Sequence, residues 1–513
     1  MNARRLGRCF TIALALGLAS LLPQIAWCAG ANIGSQLRTS KQVIQAAQGE
    51  VPAASQDIKH VLLLIIDGAH PFDVENYIET HPQSALAKLK AMGVWYKNAS
   101  TTIPSDSFPS MMAMITGGGP ATTGVWYEVS YHRDLSPPGS DCSTTGTEVY
   151  LDETIDINKH DTWGGGGFNT AELPRDPKNN CAPVYPHQLL RVNTIFDVIK
   201  QAGMETAFSD KQRGDEIEQG PTGHAIDEPY TPENASLAHT YQAVEQYDDF
   251  RNQALLNWIN GKNSKGTGPA PVPAIMGITF QSPAQAETNP KGGWTDASGT
   301  PSALLTKEFN HVDADIGKLL DELKANGLMS STVIIVTAKH GDQPIDVTQV
   351  RRIDPKIMID AVDAVAPHAG HGPGDDIDMF WLQDPSKTAA AVKALEAVKT
   401  QAHIRRIISG AALKSMYDDP RKDPETPDII VEPELGVIYM NPKGAKIGEH
   451  GGFSIEDTHV PILVSNPRFE PGVVHTPVSV AQIAPTILKL LSLDPQALEA
   501  VRIDKTAVLP GLF

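Results

Sequence analysis

The chain has 513 residues, with 42 basic and 60 acidic side chains and a formal net charge of −18. Its 41% hydrophobic and 20% charged residues are the balance of a folded globular protein, which excludes a disordered chain. No Lys/Arg cluster offsets the acidic total, which excludes nucleic-acid binding through a basic surface.

In chain order, the first signal is one of targeting. Arg4, Arg5 and Arg8 precede the apolar run from Phe10 to Leu22, and Ala26-Trp27-Cys28 puts small residues at the two positions a signal peptidase reads. Residues 1–28 are therefore expected to be a signal peptide, and the protein to be periplasmic or secreted. The apolar run is short and ends at Pro23, and no later segment offers about 20 continuous apolar residues, so no transmembrane anchor is expected. Removal of this segment leaves Cys142 and Cys181, which an oxidising compartment would pair; two free buried thiols are the alternative.

Residues 29–57 are polar and read as an N-terminal arm, and residues 58–513 as one large catalytic domain. His60–Asp67 is an apolar run ending in a carboxylate, the pattern of a buried parallel strand. Helical patterning follows at Ser84–Met92, and a helix begins near Pro109. Residues 128–190 turn rich in Gly, Pro, Asp, Asn and Thr and read as a long surface insertion holding both remaining cysteines. The α/β texture resumes with a helix at Val192–Ala202, a strand at Glu205–Ser209, a helix at Leu237–Asn260, a strand at Ala274–Phe280, a helix at Ser302–Ala325 and a strand at Ser331–Thr337. Residues 345–435 hold helices and the strand Asp378–Leu382 and are expected to form a lobe; a strand at Pro461–Val464 and a helix at Ser479–Leu491 close the chain. Strands alternating with helices argue an α/β fold, a mostly parallel central sheet with helices on both faces and loop-rich insertions.

In such sheets ligands bind beyond the carboxyl ends of the strands. Three polar clusters fall there: Asp67-Gly68, Lys339-His340-Gly341-Asp342, and Glu449-His450 ahead of the last strand. Each alone has a plain structural use, as a turn or cap residue. Together Asp67, His340 and His450 offer the oxygen and imidazole donors of a divalent metal site. Ser107, in Ser105-Asp106-Ser107-Phe108-Pro109, falls at the start of a helix, where free amides and the helix dipole favour an alkoxide and a phosphate. A simple N-cap is its other reading.

These segments resemble the alkaline phosphatase superfamily, in its type I phosphodiesterase/nucleotide pyrophosphatase branch. HVLLLIIDGAH is similar to that family's first strand, SDSFPSMMAMITGGGPATTGVWY to its nucleophile segment, VIIVTAKHGD to its Asp-His-Gly strand end, and EHGGFSIEDTHVPILVSNP to its last histidine segment. The resemblance implies an alkaline phosphatase-like fold, Ser107 as nucleophile, and Asp67, Ser107, His340 and His450 as metal ligands. It also implies one or two divalent ions, zinc foremost, and a small-molecule phosphate ester as substrate. The chain departs from the pattern where it has Lys339 before His340, and Gln281 and Gln285 where the family has Asp-x-x-x-His. A neutral amide is a poorer zinc ligand than carboxylate or imidazole, so the metal pair about 4 Å apart is in doubt.

The reading is an exported, metal-dependent hydrolase of phosphodiester or pyrophosphate bonds, in which Lys339 takes over part of a second metal's work beside the nucleophile Ser107. The alternative for Lys339 is a solvent-facing side chain, with His368 or His371 rebuilding the second site. The alternatives for the whole chain are an impaired relative acting as a binding protein, and a sulfatase-like ester hydrolase, although no Arg follows Pro109 as a sulfatase signature requires.

Overall fold

The computed structural model describes residues 57–157, 167–211, 213–231, 241–372 and 374–513. The expected signal segment 1–28, the expected arm 29–57 apart from Asp57, the expected helix start at 237–240 and most of the glycine run after Trp163 lie outside the described residues.

The chain alternates strands and helices as β1 (His60–Ile66), β2 (Gly93–Tyr96), α1 (Ser107–Thr116), β3 (Ala207–Phe208), α2 (Tyr241–Ile259), β4 (Ile275–Phe280), α3 (Ser282–Glu287), α4 (Ala303–Ala325) and β5 (Thr332–Thr337). It continues through β6 (His368–Gly372), β7 (Asp378–Leu382), β8 (Ile404–Ser409), β9 (Ile429–Pro433), β10 (Ile462–Ser465), β11 (Gly472–Val474) and α5 (Ile483–Leu490). The central sheet has the order β4-β1-β5-β10-β2-β11. β1 pairs in parallel with β4 and β5, β10 runs antiparallel to β5 and β2, and β11 is parallel to β2. Every strand but β10 therefore points the same way, which gives an α/β fold with a mostly parallel sheet.

The apolar runs explain the order. β1 is buried from Val61 to Ile66, and β4 and β5 are buried throughout, so the sheet's centre is covered on both faces. Helix α2 packs on α4 and β4, and α1 packs on α5. β3 extends the sheet beyond β4 through parallel bridges Thr206 to Ile275 and Ser209 to Ile278. Parallel pairing leaves the carboxyl ends of β3, β4, β1 and β5 side by side.

A second, four-stranded antiparallel sheet, β6-β7-β9-β8, carries its own buried cluster, including Phe380, Leu395, Val431 and Tyr439. Residues 128–190 make two short ribbons, Val129–His132 with Thr147–Tyr150 and Arg175–Asp176 with Ala182–Pro183, tied by the Cys142–Cys181 disulfide. This segment is less superficial than its composition suggests. Val149, Leu151 and Val184 join the main core, and Thr147–Tyr150 alternates buried with half-buried residues, so polar neighbours hide the apolar ones in a composition count.

Candidate active site

Four sheet strands deliver the site. β1 is followed by Asp67, β5 by Lys339 and His340, β4 by Gln281, and β3 by Asp210 and Lys211. Helix α1 points its N-terminus at the same place. Asp106 is its N-cap, the carboxylate accepting from the Phe108 amide at 3.1 Å, so Ser107 is the first helical residue and is free of the capping task.

Ser107 is buried, and its Oγ meets two partners, His340 Nε2 at 3.3 Å and Lys211 Nζ at 3.2 Å. Lys211 Nζ also donates to Asp67 Oδ2 at 2.7 Å, and Asp67 Oδ1 lies 3.3 Å from His340 Nε2. Asp67, Ser107, Lys211 and His340 thus form one closed group. The Lys211 backbone carbonyl accepts from the Tyr247 hydroxyl at 2.7 Å, which fixes the lysine's base.

The imidazole of His340 stacks on that of His450, centroids 3.5 Å apart and 7° from parallel. His450 Nδ1 is held by Asp342 Oδ1 at 3.0 Å, and His340 Nδ1 faces the same oxygen at 3.7 Å. Burial opposes a charge on His450, but the bond and charge of Asp342, with Glu449 and Asp106, outweigh it and raise its pKa to about 10. His340 is pushed well below the usual imidazole value, by burial first and then by the charge of His450. Burial also opposes ionisation of Asp67, yet Lys211, His340 and Lys339 together hold its carboxyl well below the usual range. The two stacked rings are thus pushed in opposite directions, His340 toward the neutral form and His450 toward the imidazolium.

Lys339 is fully buried and does not face solvent: its Nζ donates to Asp210 at 2.8 and 3.1 Å. The ammonium that touches Ser107 is that of Lys211, which none of the motifs above includes. The signal for it was present, because Asp210-Lys211 directly follows the expected strand Glu205–Ser209, a fourth polar cluster at a carboxyl edge. His368 and His371, on β6, pair with Asp363 and Asp378, and neither histidine lines the cavity over Ser107.

That cavity, about 210 Å³, is open to solvent and bounded by Asp67, Ser107, Lys211, Gln285, Asp375 and His450 among others. Behind it, burial and then the charge of Asp342 push Glu287 well above the usual carboxylate range. A Cβ on Gly68 would overlap both of those carboxyl groups, and its φ of 82° suits glycine alone.

Groups of ligand-type residues are present: donor atoms of His340, Asp342 and His450 lie within 4.8 Å of one another. The donors nevertheless fit a metal ion poorly at each position expected. Between Asp67, Ser107 and His340 the ammonium of Lys211 already stands. At His450 the remaining family positions are the neutral amides Gln281 and Gln285. A single ion shared by His340 and His450 fails on geometry, because the stacked rings hold their in-plane lone pairs in two near-parallel planes, and one ion cannot lie in both.

Residues 61–453 match the family model described as type I phosphodiesterase / nucleotide pyrophosphatase. Among curated proteins, bis(5'-adenosyl)-triphosphatase ENPP4 of Bos taurus is 23% identical over 212 residues, 39% of this chain and 43% of that protein. The Homo sapiens protein of the same name is 24% identical over the same length and shares. The match thus spans under half the length of these curated relatives. Among solved structures, murine ectonucleotide pyrophosphatase / phosphodiesterase 5 superposes with a TM-score of 0.55 at 15% identity, covering 85% of this chain and 96% of that one. The human protein of that name gives 0.53 at 14% identity, over 85% and 95%. These likenesses establish the fold.

Proposed function

The chain belongs to the type I phosphodiesterase / nucleotide pyrophosphatase family, which makes it a phosphoric ester hydrolase, and from that premise we propose that it cleaves phosphodiester or pyrophosphate bonds with Ser107 as nucleophile. The observation that carries this is the placement of Ser107 Oγ. It sits at a helix N-terminus, on the floor of an open cavity, between an imidazole nitrogen and an ammonium.

The chemistry follows from those contacts. With its proton on Nδ1, toward Asp342, His340 presents Nε2 as an acceptor to Ser107. As the Oγ–P bond forms and the bond from phosphorus to the leaving oxygen breaks, the Oγ proton passes to His340. The leaving oxygen takes a proton from solvent in the open cavity. Water then attacks phosphorus and releases one proton, the Oγ–P bond breaks, and Oγ recovers the proton held by His340. The α1 amides and the cation of His450 stabilise the phosphoryl oxygens through both steps.

The family is metal-dependent, and zinc, held by Asp67, Ser107, His340 and His450, would supply positive charge at the nucleophile and phosphoryl group. Because the donor set here fits such an ion poorly, no step above passes through one. Cleavage of a secretory signal at residue 28 and export follow from the first segment of the sequence; the Cys142–Cys181 disulfide suits an oxidising compartment, and no described helix is long and apolar enough to cross a membrane. Adenosyl pyrophosphates, after the names of the curated relatives, are the first substrates to try.

The test is Ser107→Ala, assayed on bis(4-nitrophenyl) phosphate and on a dinucleoside triphosphate. Turnover is lost and the melting temperature is kept, since the cap of α1 is Asp106. Retained turnover would defeat the assignment. Loss of about 1 kcal/mol of stability with the rate unchanged would mark a structural serine. A wild type that turns over neither these substrates nor aryl sulfates would mark a binding protein, and one active on sulfates alone a sulfatase.

A further inference from the structure

We propose that Lys211 is the catalytic cation of this site, standing where the family places a divalent ion, so that the chain hydrolyses its phosphate ester without a metal. The inference rests on the phosphoryl-transfer reading above and goes beyond it in naming the source of the positive charge.

Three observations carry it. First, the geometry is that of a bridging cation. Lys211 Nζ spans Asp67 Oδ2 at 2.7 Å and Ser107 Oγ at 3.2 Å, the two oxygens expected as metal ligands. Second, the charge balances. A lysine at 339 in place of a carboxylate raises the local charge by two units, the charge of the divalent ion. Asp67 is matched by Lys211 and Asp210 by Lys339, so these four side chains sum to zero without an ion. Third, the two lysines divide the work by hydrogen bonding. Asp210 clamps Lys339 through both oxygens in the buried layer below, while Lys211 is left facing Asp67 and the nucleophile. An ammonium offers three donors and no lone pair while protonated, so it excludes a metal from the point it occupies and donates to a developing alkoxide or phosphoryl oxygen there.

In the reaction Lys211 keeps its three protons. It donates to Oγ as that oxygen gives its proton to His340 Nε2, and to a phosphoryl oxygen once the Oγ–P bond has formed. No bond to Lys211 is made or broken. This assigns to Lys211 the role first expected of Lys339, whose ammonium serves Asp210.

The test uses the full mature chain, purified without metal affinity resin, and three readouts. Metal content by mass spectrometry is expected to stay well below one equivalent of zinc, manganese, magnesium or calcium per chain. Hydrolysis of bis(4-nitrophenyl) phosphate is expected to survive prolonged EDTA treatment within about 2-fold of the untreated rate. Lys211→Met is expected to lower kcat by about 100-fold or more, the cost of removing one preorganised charge donor, and Lys211→Arg to recover part of that loss. Circular dichroism and melting of each variant separate lost chemistry from lost folding; should Lys211→Met fail to fold, Lys211→Arg with the metal content decides. One tightly bound equivalent of metal, activity abolished by EDTA and restored by zinc, or Lys211→Met within 3-fold of wild type overturns the proposal. These results leave the serine reading intact, because that reading is tested separately, by Ser107→Ala and by the residue that carries the phosphoryl adduct.

Discussion

Asp375 shows at the level of one residue how this site carries its surplus of acids. Its backbone sits at a φ of 66°, a conformation that Asp and Asn tolerate better than other side chains. Its carboxyl group lies 3.5 Å from the Tyr127 hydroxyl and is pushed up to about 7, by burial first and then by the charge of Glu449. A raised acid favours its protonated form in the fold. Its contribution is therefore fully present below the unfolded value near 3.9 and is lost as pH rises through about 7. We expect the melting temperature to fall between pH 4 and pH 7.5 more steeply in wild type than in Asp375→Asn, which keeps the backbone preference and removes the titration. Parallel curves for the two proteins would show that Asp375 titrates normally.

At the level of elements, the segment between β2 and β3 does two jobs. Its first part is α1, whose Asp106 cap and Gly117 terminus, with φ of 83°, fix both ends of the helix that carries Ser107. Its second part is the ribbon region, where the Cys142–Cys181 bond closes a loop with a sequence separation of 39. A loop of that length lowers the entropy of the unfolded chain enough to stabilise the fold by about 4 kcal/mol in the chain-entropy model. The double variant Cys142→Ser, Cys181→Ser should show that loss in urea unfolding. It should show less effect on the rate, since neither cysteine lines the cavity. An unchanged midpoint would mean that the ribbons are held by packing alone.

For the whole molecule, most of the architecture is legible in the sequence because its strands are unusually plain. HVLLLII, IMGITF and TVIIVT are mostly apolar, and each is followed by a polar cluster, so period, boundary and carboxyl edge can be read together. The antiparallel turn of β10 is not legible, because a buried strand of four residues carries no mark of direction. In the site, Asp67, Ser107, His340 and His450 do converge within one group of contacts, as their strand-end positions imply. The position of Lys211 after the strand is legible, but its role is not, because a lysine among acids reads as a surface pair until Asp67 and Ser107 are seen beside it. Burial of Lys339 is hidden for the same reason, its partner Asp210 being 129 residues away. All of this chemistry turns on one covalent event. The most direct measurement is an acid quench of the enzyme during turnover of bis(4-nitrophenyl) phosphate, followed by peptide mass spectrometry. The account predicts a 4-nitrophenyl phosphate adduct on the peptide containing Ser107, absent in Ser107→Ala, approaching one per chain if hydrolysis of the adduct is slow. An adduct on another residue, or rapid turnover of substrate by Ser107→Ala, would contradict it.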